Sequence, residues 1–251
     1  MLTSQRKTHI LAALRRDGQV VAKDLSQELN LSEDTIRRDL RELAAMGLLQ
    51  RVHGGALPAS SAVVDYAGRT QVEPGSKLAI GRLAASLIKP GQVVFVDGGT
   101  TTLAMVQHLL PTLKATIVTH SPSIAVALVE NPSIEVVVVG GRLFKHSIVT
   151  VGAEAREGIA RIRADCYVMG VTGIHAEVGL TTGDAEEAAI KRAMIEASAE
   201  TIVLASREKI GAASPYVIGP ARLVGTLVTE RSAPEAPVSQ LAALGLQILR
   251  A

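Results

Sequence analysis

The sequence predicts an α/β protein in two parts, a small helical head closed by a β-hairpin and a larger domain built on a parallel sheet. Residues 1–57 carry three short helical periods and then glycine-punctuated strand patterns. Residues 58–75 turn to Pro, Ala, Ser, Gly and Thr and lose apolar periodicity. From Ser76 onward, short continuous apolar runs alternate with helical patterns. With 251 residues, 47% apolar and 20% charged, the chain has material for one small and one medium core.

In the head, a first helix is expected over residues 5–16, with Ile10, Leu11 and Leu14 on its apolar side and Asp17-Gly18 as its stop. Gln19, Val20 and Val21 suit a short strand. A second helix, residues 22–30, places Leu25 and Leu29 four apart on one face. A tight break at Asn30-Leu31 leads to a third helix opening at Ser32, whose hydroxyl can accept a free first-turn N–H. Glu33 and Asp34 then sit where the helix dipole favours negative charge. Gly47 ends this helix, and residues 48–52 and 56–57 form two strands around Gly54-Gly55. Two helices with a tight turn and a following hairpin make a winged helix-turn-helix.

In the larger domain, 76–251, strands are expected at Val93–Val96, 116–118, 136–139, 167–171, 202–204, 225–228 and 246–249. Helical patterns at 78–88, 102–110, 124–129, 153–162 and 185–199 separate several of them. Runs buried on both faces and divided by helices imply a parallel sheet covered on each side. Residues 58–75 read as an interdomain linker.

Composition narrows the function classes. Aromatics are 2% with no Trp, which argues against a base- or sugar-stacking platform. Residues 1–57 hold nine Lys and Arg against seven Asp and Glu, so the formal excess of +2 sits in the head, a weak pointer to nucleic acid. The single cysteine, Cys166, lies in an apolar run and is expected as a buried strand residue. No apolar stretch nears the ~18 residues of a membrane span, and the first residues lack a signal-peptide core. A cytoplasmic protein without membrane contact is therefore expected. The His and Cys residues show no zinc spacing, and Gly98 to Thr102 lacks the lysine of a Walker loop, so no metal or cofactor is expected.

At 100° per residue, Ile36, Leu40 and Leu43 fall in one stripe of the third helix, and Arg37, Arg38 and Arg41 land opposite it. Such a helix is shaped for a major groove, where Arg bonds guanine bidentately or neutralises phosphate. Thr35 lies in its first turn, and Arg51 and His53 would tip the wing towards the backbone. The ordinary alternative is a solvated face with internal pairs such as Arg38 with Glu42.

In the larger domain, the strand ending at Asp97 runs into Gly98, Gly99, Thr100, Thr101 and Thr102 at a helix start. Glycines permit close approach, and first-turn N–H groups and hydroxyls face an anion. Asp97 can accept from sugar hydroxyls. The ordinary alternative is a capped strand-to-helix turn. Other strand ends carry His120 and Gly141. Glu187 and Lys191 share a helix face after a loop at 179–183, and Lys209 follows a late strand. Taken singly, each of these also reads as a surface or loop residue.

The segment from Asp24 to Ala56, with S-x-x-T-x-R-R-D-L and the R-V-H-G-G-A wing, resembles the DeoR-family winged helix. The resemblance implies that Ser32, Thr35, Arg37 and Arg38 lie at the DNA face. Residues 76–230 resemble the same family's sensor domain, which is similar in fold to ribose-5-phosphate isomerase and the coenzyme A transferases. The matching stretches are K-x-x-I-G-R-L-A-A from Lys77, D-G-G-T-T-T from Asp97, V-G-G at Val139, V-G at Val151, G-L-T-T-G at Gly179, E-x-x-x-K at Glu187 and E-K-I-G at Glu208. They imply a phosphorylated sugar or related effector near Asp97, Gly99, Thr100, Thr101, Lys191 and Lys209. Three positions depart from the common family pattern: His120 for Asn, Ser206 for Asp and Glu230 for Asp.

The resemblance implies a transcription repressor of a carbohydrate operon that binds operator DNA as a homodimer or higher oligomer and is released by a phosphosugar. Two other readings stand beside it. One is a sugar-phosphate isomerase with a DNA-binding head, for which Asp97 and Glu187 are the candidate bases. The other makes the larger domain an oligomerisation scaffold only.

Overall fold

A computed structural model describes residues 2–60 and 64–251. The head consists of α1 (Thr3–Asp17), β1 (Val20–Val21), α2 (Ala22–Leu29), α3 (Glu33–Ala45), β2 (Leu49–Val52) and β3 (Gly55–Pro58). Gly18, left-handed at φ 74°, stops α1 and returns its N–H to the Leu14 carbonyl at 3.0 Å. Ser32 Oγ caps α3 by accepting from Thr35 N at 3.3 Å. The strands form an antiparallel sheet in the order β1-β3-β2. Gly55 is required where β1 crosses, because a Cβ there would stand 1.9 Å from the Val20 carbonyl oxygen.

Ile10, Leu14, Leu25, Ile36, Leu40 and Leu43 fill the head's core, the stripe that helical periodicity identifies. One member of this interior escapes any apolar pattern. Asp39 of α3 is buried and takes a two-pronged bond from Arg6 of α1, with Nη2 to Oδ1 at 3.0 Å and Nε to Oδ2. This buried pair ties α3 to α1.

Residues 58–75, expected as an interdomain linker without apolar periodicity, contain α4 (Tyr66–Gln71), capped by Asp65 through Gly68 N at 2.9 Å, while residues 61–63 of that stretch lie outside the described residues. Six residues are too few for an amphipathic period to show. Then follow α5 (Pro74–Ala85), β4 (Val93–Val96), α6 (Thr100–Val106), β5 (Ala115–Thr119), α7 (Pro122–Leu128), β6 (Ile134–Val138), β7 (Arg142–Phe144), β8 (Val149–Val151) and α8 (Ala153–Ala160). The chain continues through β9 (Ala164–Gly170), β10 (Gly173–His175), β11 (Gly179–Thr182), α9 (Ala185–Glu196), β12 (Ser198–Leu204), β13 (Tyr216–Gly219), β14 (Thr226–Thr229), α10 (Glu235–Ala243) and β15 (Gln247–Arg250).

Seven strands pair in parallel in the order β15-β14-β12-β9-β4-β5-β6. Alternation along the strands divides two cores. Phe95, Tyr167 and Met169 face α8, α9 and α10, while Val94, Val96, Cys166 and Val168 face α5, α6 and α7. Cys166 is a buried strand residue, and burial, with Glu200 and Asp165 near it, pushes its thiol up to about 12.

Two further strand groups have no counterpart in the apolar pattern. The pair β7-β8 and the sheet β10-β11-β13 are antiparallel and built from strands of three or four residues. Residues 179–182, expected as a loop, are the buried central strand β11, because pairing with β10 and β13 supplies bonds that no local pattern announces. The strand order runs outwards from β4 in one direction through β5 and β6, and in the other from β9. The crevice at the β4/β9 carboxyl ends is therefore a topological switch point, where open α/β sheets place ligands.

Candidate nucleic-acid interface and anion pocket

On α3, Arg37, Arg38 and Arg41 are exposed and Ile36, Leu40 and Leu43 are buried. Arg37 Nη2 reaches Glu33 Oε2 at 2.7 Å, one turn back. The Arg38–Glu42 pair considered from sequence does not form, since Glu42 Oε2 turns to Lys7 Nζ of α1 at 2.6 Å. Arg38 and Arg41 have no ion pair among the described residues. Ser32 and Thr35 open the helix, their hydroxyls 3.0 Å apart. Arg51 and His53 are exposed on the β2–β3 wing, and with Arg37, Leu40 and Gly54 they line a groove between α3 and the wing. All seven head residues singled out from sequence thus lie on α3, its cap or the wing.

At the sheet's switch point, Gly98, Gly99, Thr100, Thr101 and Thr102 line a pocket with Glu187, Lys191 and Lys209. Gly98 is needed there, since a Cβ would stand 2.2 Å from Val149 Cγ1, and Gly99 opens α6 at φ 149°. Asp97 sits behind the pocket, fully buried. Its Oδ2 accepts from Gly170 N at 2.9 Å and from Lys191 Nζ, and its Oδ1 lies 2.9 Å from His120 Nε2. Lys191 Nζ also donates to the Gly170 carbonyl at 2.9 Å and stands 3.5 Å from Glu187 Oε1. Burial opposes ionisation of Asp97, but the charge of Lys191 and the hydrogen bond and charge of His120 outweigh it and hold the carboxyl at about 2.

His120 does not line the pocket. It is fully buried between Asp97 and the Thr150 carbonyl, 2.9 Å from its Nδ1, and so braces the carboxylate. Gly141 also stays outside. At φ 136° it lets the β7 entry pass the Val151 carbonyl and Ala155, which a Cβ would meet at 2.8 and 3.2 Å. Sequence reasoning missed Arg69, Gly170, Val171, Thr172 and Thr182 of the lining. Thr182 belongs to the G-L-T-T-G motif and was within reach, whereas nothing in the pattern points to Arg69.

The wall is cationic and only partly satisfied. Lys209 is nearly buried and has no carboxylate within salt-bridge distance among the described residues. Burial pushes its amine down to about 8 against the opposing pull of Glu208, with Lys77, Arg69 and Lys191 adding to the fall. Thr101 Oγ1, Thr182 Oγ1 and Arg69 Nε are buried without a hydrogen-bond partner. Ser206 and Glu230, two of the departures from the family pattern, hold the turn that carries Lys209. Ser206 Oγ donates to Glu208 Oε1 at 2.6 Å, and both Glu230 oxygens accept from Arg207 N at 3.0 Å.

A helix-turn-helix with free arginines on its second helix, joined to an α/β domain with a cationic switch-point pocket, defines a DNA-binding regulator with a sensor domain. Family models agree. The DeoR-like helix-turn-helix domain matches residues 6–62 and the DeoR C terminal sensor domain matches residues 73–231. The chain belongs to the DeoR family. It is 32% identical over 251 residues to the HTH-type transcriptional repressor GlcR of Bacillus subtilis (strain 168), covering 99% of this chain and 96% of that one. It is 31% identical over 235 residues to the glycerol-3-phosphate regulon repressor of Escherichia coli (strain K12), covering 93% of each. Among solved structures, ribose 5-phosphate isomerase A of Methanocaldococcus jannaschii overlaps 53% of this chain and 52% of its own at 16% identity and a TM-score of 0.39. Among the described residues no helix is long and apolar enough to cross a membrane.

Proposed function

We propose that the chain represses a carbohydrate or polyol-phosphate operon, gripping operator DNA with α3 and the wing and letting go when a phosphorylated sugar or related metabolite enters the β4/β9 pocket. It works in the cytoplasm as a homodimer or higher oligomer, whose paired heads meet half-sites about one helical turn apart. The division into a 1–57 head, a 58–75 connection and a 76–251 sensor follows the same reading. The names of the relatives support repression.

One observation carries the effector assignment: an underpartnered cationic wall. Lys209, with the orphan hydroxyls of Thr101 and Thr182, offers donors to a ligand rich in oxygen and negative charge. The buried carboxylate behind it is committed to Lys191, His120 and Gly170 N, and a carboxyl held at about 2 is a poor general base. This counts against Asp97 as an isomerase base; Glu187, the other candidate, accepts from Ser147 Oγ at 3.2 Å and stands 3.5 Å from Lys191 Nζ.

Gel-shift titration against a panel of sugar phosphates, sugar acids and polyol phosphates tests the proposal. At least one phosphorylated member is expected to release operator DNA and to raise the melting temperature. A panel in which none does either would overturn the effector assignment.

A further inference from the structure

We propose that Arg69 contacts the anionic effector directly, and that α4, which carries it, transmits pocket occupancy to the head. The inference rests on the pocket being an anion sensor and adds a residue and a route.

The chain leaves the head at β3, is tied to the sensor where Ala59 bridges Ala213 and Ser60 Oγ meets Ser214 Oγ at 2.5 Å, and then passes through α4 into α5, so α4 adjoins the connection between head and sensor. Arg69 nevertheless lines the sensor pocket and is absent from every ion pair among the described residues, since Glu187 of the same lining is engaged by Ser147 and Lys191. Its Nη2 donates to the His146 carbonyl at 3.1 Å and to Ser147 Oγ at 3.2 Å, while its Nε is buried without a partner. A guanidinium presents its donors as a planar fork, and a phosphoryl oxygen is the natural acceptor for an unused Nε–H in a cationic pocket.

The seating of α4 is also slight. None of its residues is buried. Its polar anchors among the described residues include, besides Arg69, Tyr66 N on the His146 carbonyl at 3.1 Å and Lys77 Nζ on the Arg69 carbonyl, and it packs against α6 with the Tyr66 hydroxyl buried. An element held by a few polar contacts opens at low cost. A ligand that bonds Arg69 only when α4 is seated binds that state better and shifts the population towards it. Ser147 extends the link, donating to Glu187 Oε2 at 3.2 Å beside Lys191.

The test uses the full chain with inorganic phosphate as probe, comparing wild type, Arg69→Gln and Arg69→Lys by calorimetric titration and by limited proteolysis across residues 58–75. Phosphate is expected to bind wild type and to slow cleavage there. Arg69→Gln is expected to bind it about ten- to a hundredfold more weakly, the loss of a charge-assisted bond, and to gain no protection. Arg69→Lys, retaining the charge without the fork, should fall between them. Wild-type phosphate affinity in Arg69→Gln overturns the contact while leaving the sensor assignment standing. Tight phosphate binding with unchanged cleavage in wild type overturns the route through α4. No phosphate binding by wild type overturns the anion pocket and this inference together.

Discussion

Arg38 and Arg41 stand exposed on α3 with no ion pair among the described residues, whereas Lys191 and Lys209 of the sensor are 2% and 7% exposed. The two regions handle positive charge differently. Exposed guanidiniums stay hydrated until they neutralise a polyanion's phosphates and release its condensed counterions, so their grip is weakened by salt. Buried ammoniums have lost most of their water, so each needs a compensating group, and the pocket discriminates by what it leaves uncompensated. Lys191 is paired with Asp97, and Lys209 has no ion pair among the described residues, only the more distant pull of Glu208. The head is built to hold a long charged surface and the sensor to recognise one small anion.

The largest expected effect breaks the compensated half of the pocket. Lys191→Met leaves Asp97 buried without its main positive partner and should cost about 3–5 kcal/mol of stability, measured by urea unfolding. A loss below about 1 kcal/mol would mean that His120 and Gly170 N satisfy the carboxylate alone. The same carboxylate sets an acid limit. With its pKa lowered from 3.8 to about 2, its contribution is in place above the ordinary value and is lost as pH falls towards 2.

Next comes the exposed half. Arg38→Ala should leave the melting temperature unchanged and weaken operator binding by about 1–3 kcal/mol if a base contact is lost. If Arg38 meets phosphate instead, binding to operator and random DNA falls together and the salt slope drops by about 1. Fluorescence anisotropy on both DNAs at several salt concentrations separates these outcomes, and unchanged affinity for both would remove this side chain from the interface.

The smallest effect concerns the uncompensated lysine. Lys209, with its amine lowered from 10.5 to about 8, is mainly charged at neutral pH and discharges as pH rises through 8. Its burial therefore costs stability below about pH 8, and that cost is relieved between 8 and 10.5. Anion affinity should run the other way, falling as pH climbs from 7 to 9. In Lys209→Met the affinity should be lower at pH 7 and flat across that range, as calorimetry would show. A wild-type profile that is already flat would place the anion away from this amine.

The same contrast governs how far the sequence could be read. Ile36, Leu40 and Leu43 recur at helical spacing and the arginines occupy the remaining face, so α3 was legible residue by residue. The parallel strands were legible as apolar runs, and Glu187 and Lys191 as neighbours one turn apart. The buried ion pairs were not, because Arg6 and Asp39 are 33 residues apart and Asp97 and Lys191 are 94 apart, and only tertiary packing brings them together. The antiparallel sheet around β11 and the six-residue α4 escaped for a related reason, since each is too short to carry a period. His120 and Gly141 follow strands as the ligand-facing turns do, yet one braces Asp97 and the other clears Val151, a distinction set by which way the backbone turns.

Coupling between the two regions is tested most directly by measuring affinity for the releasing sugar phosphate with and without saturating operator DNA. Linkage requires operator to weaken ligand binding by the factor by which ligand weakens operator binding, typically about 5–150-fold. A matched reduction is the predicted result, and identical ligand affinity in the two conditions would contradict it.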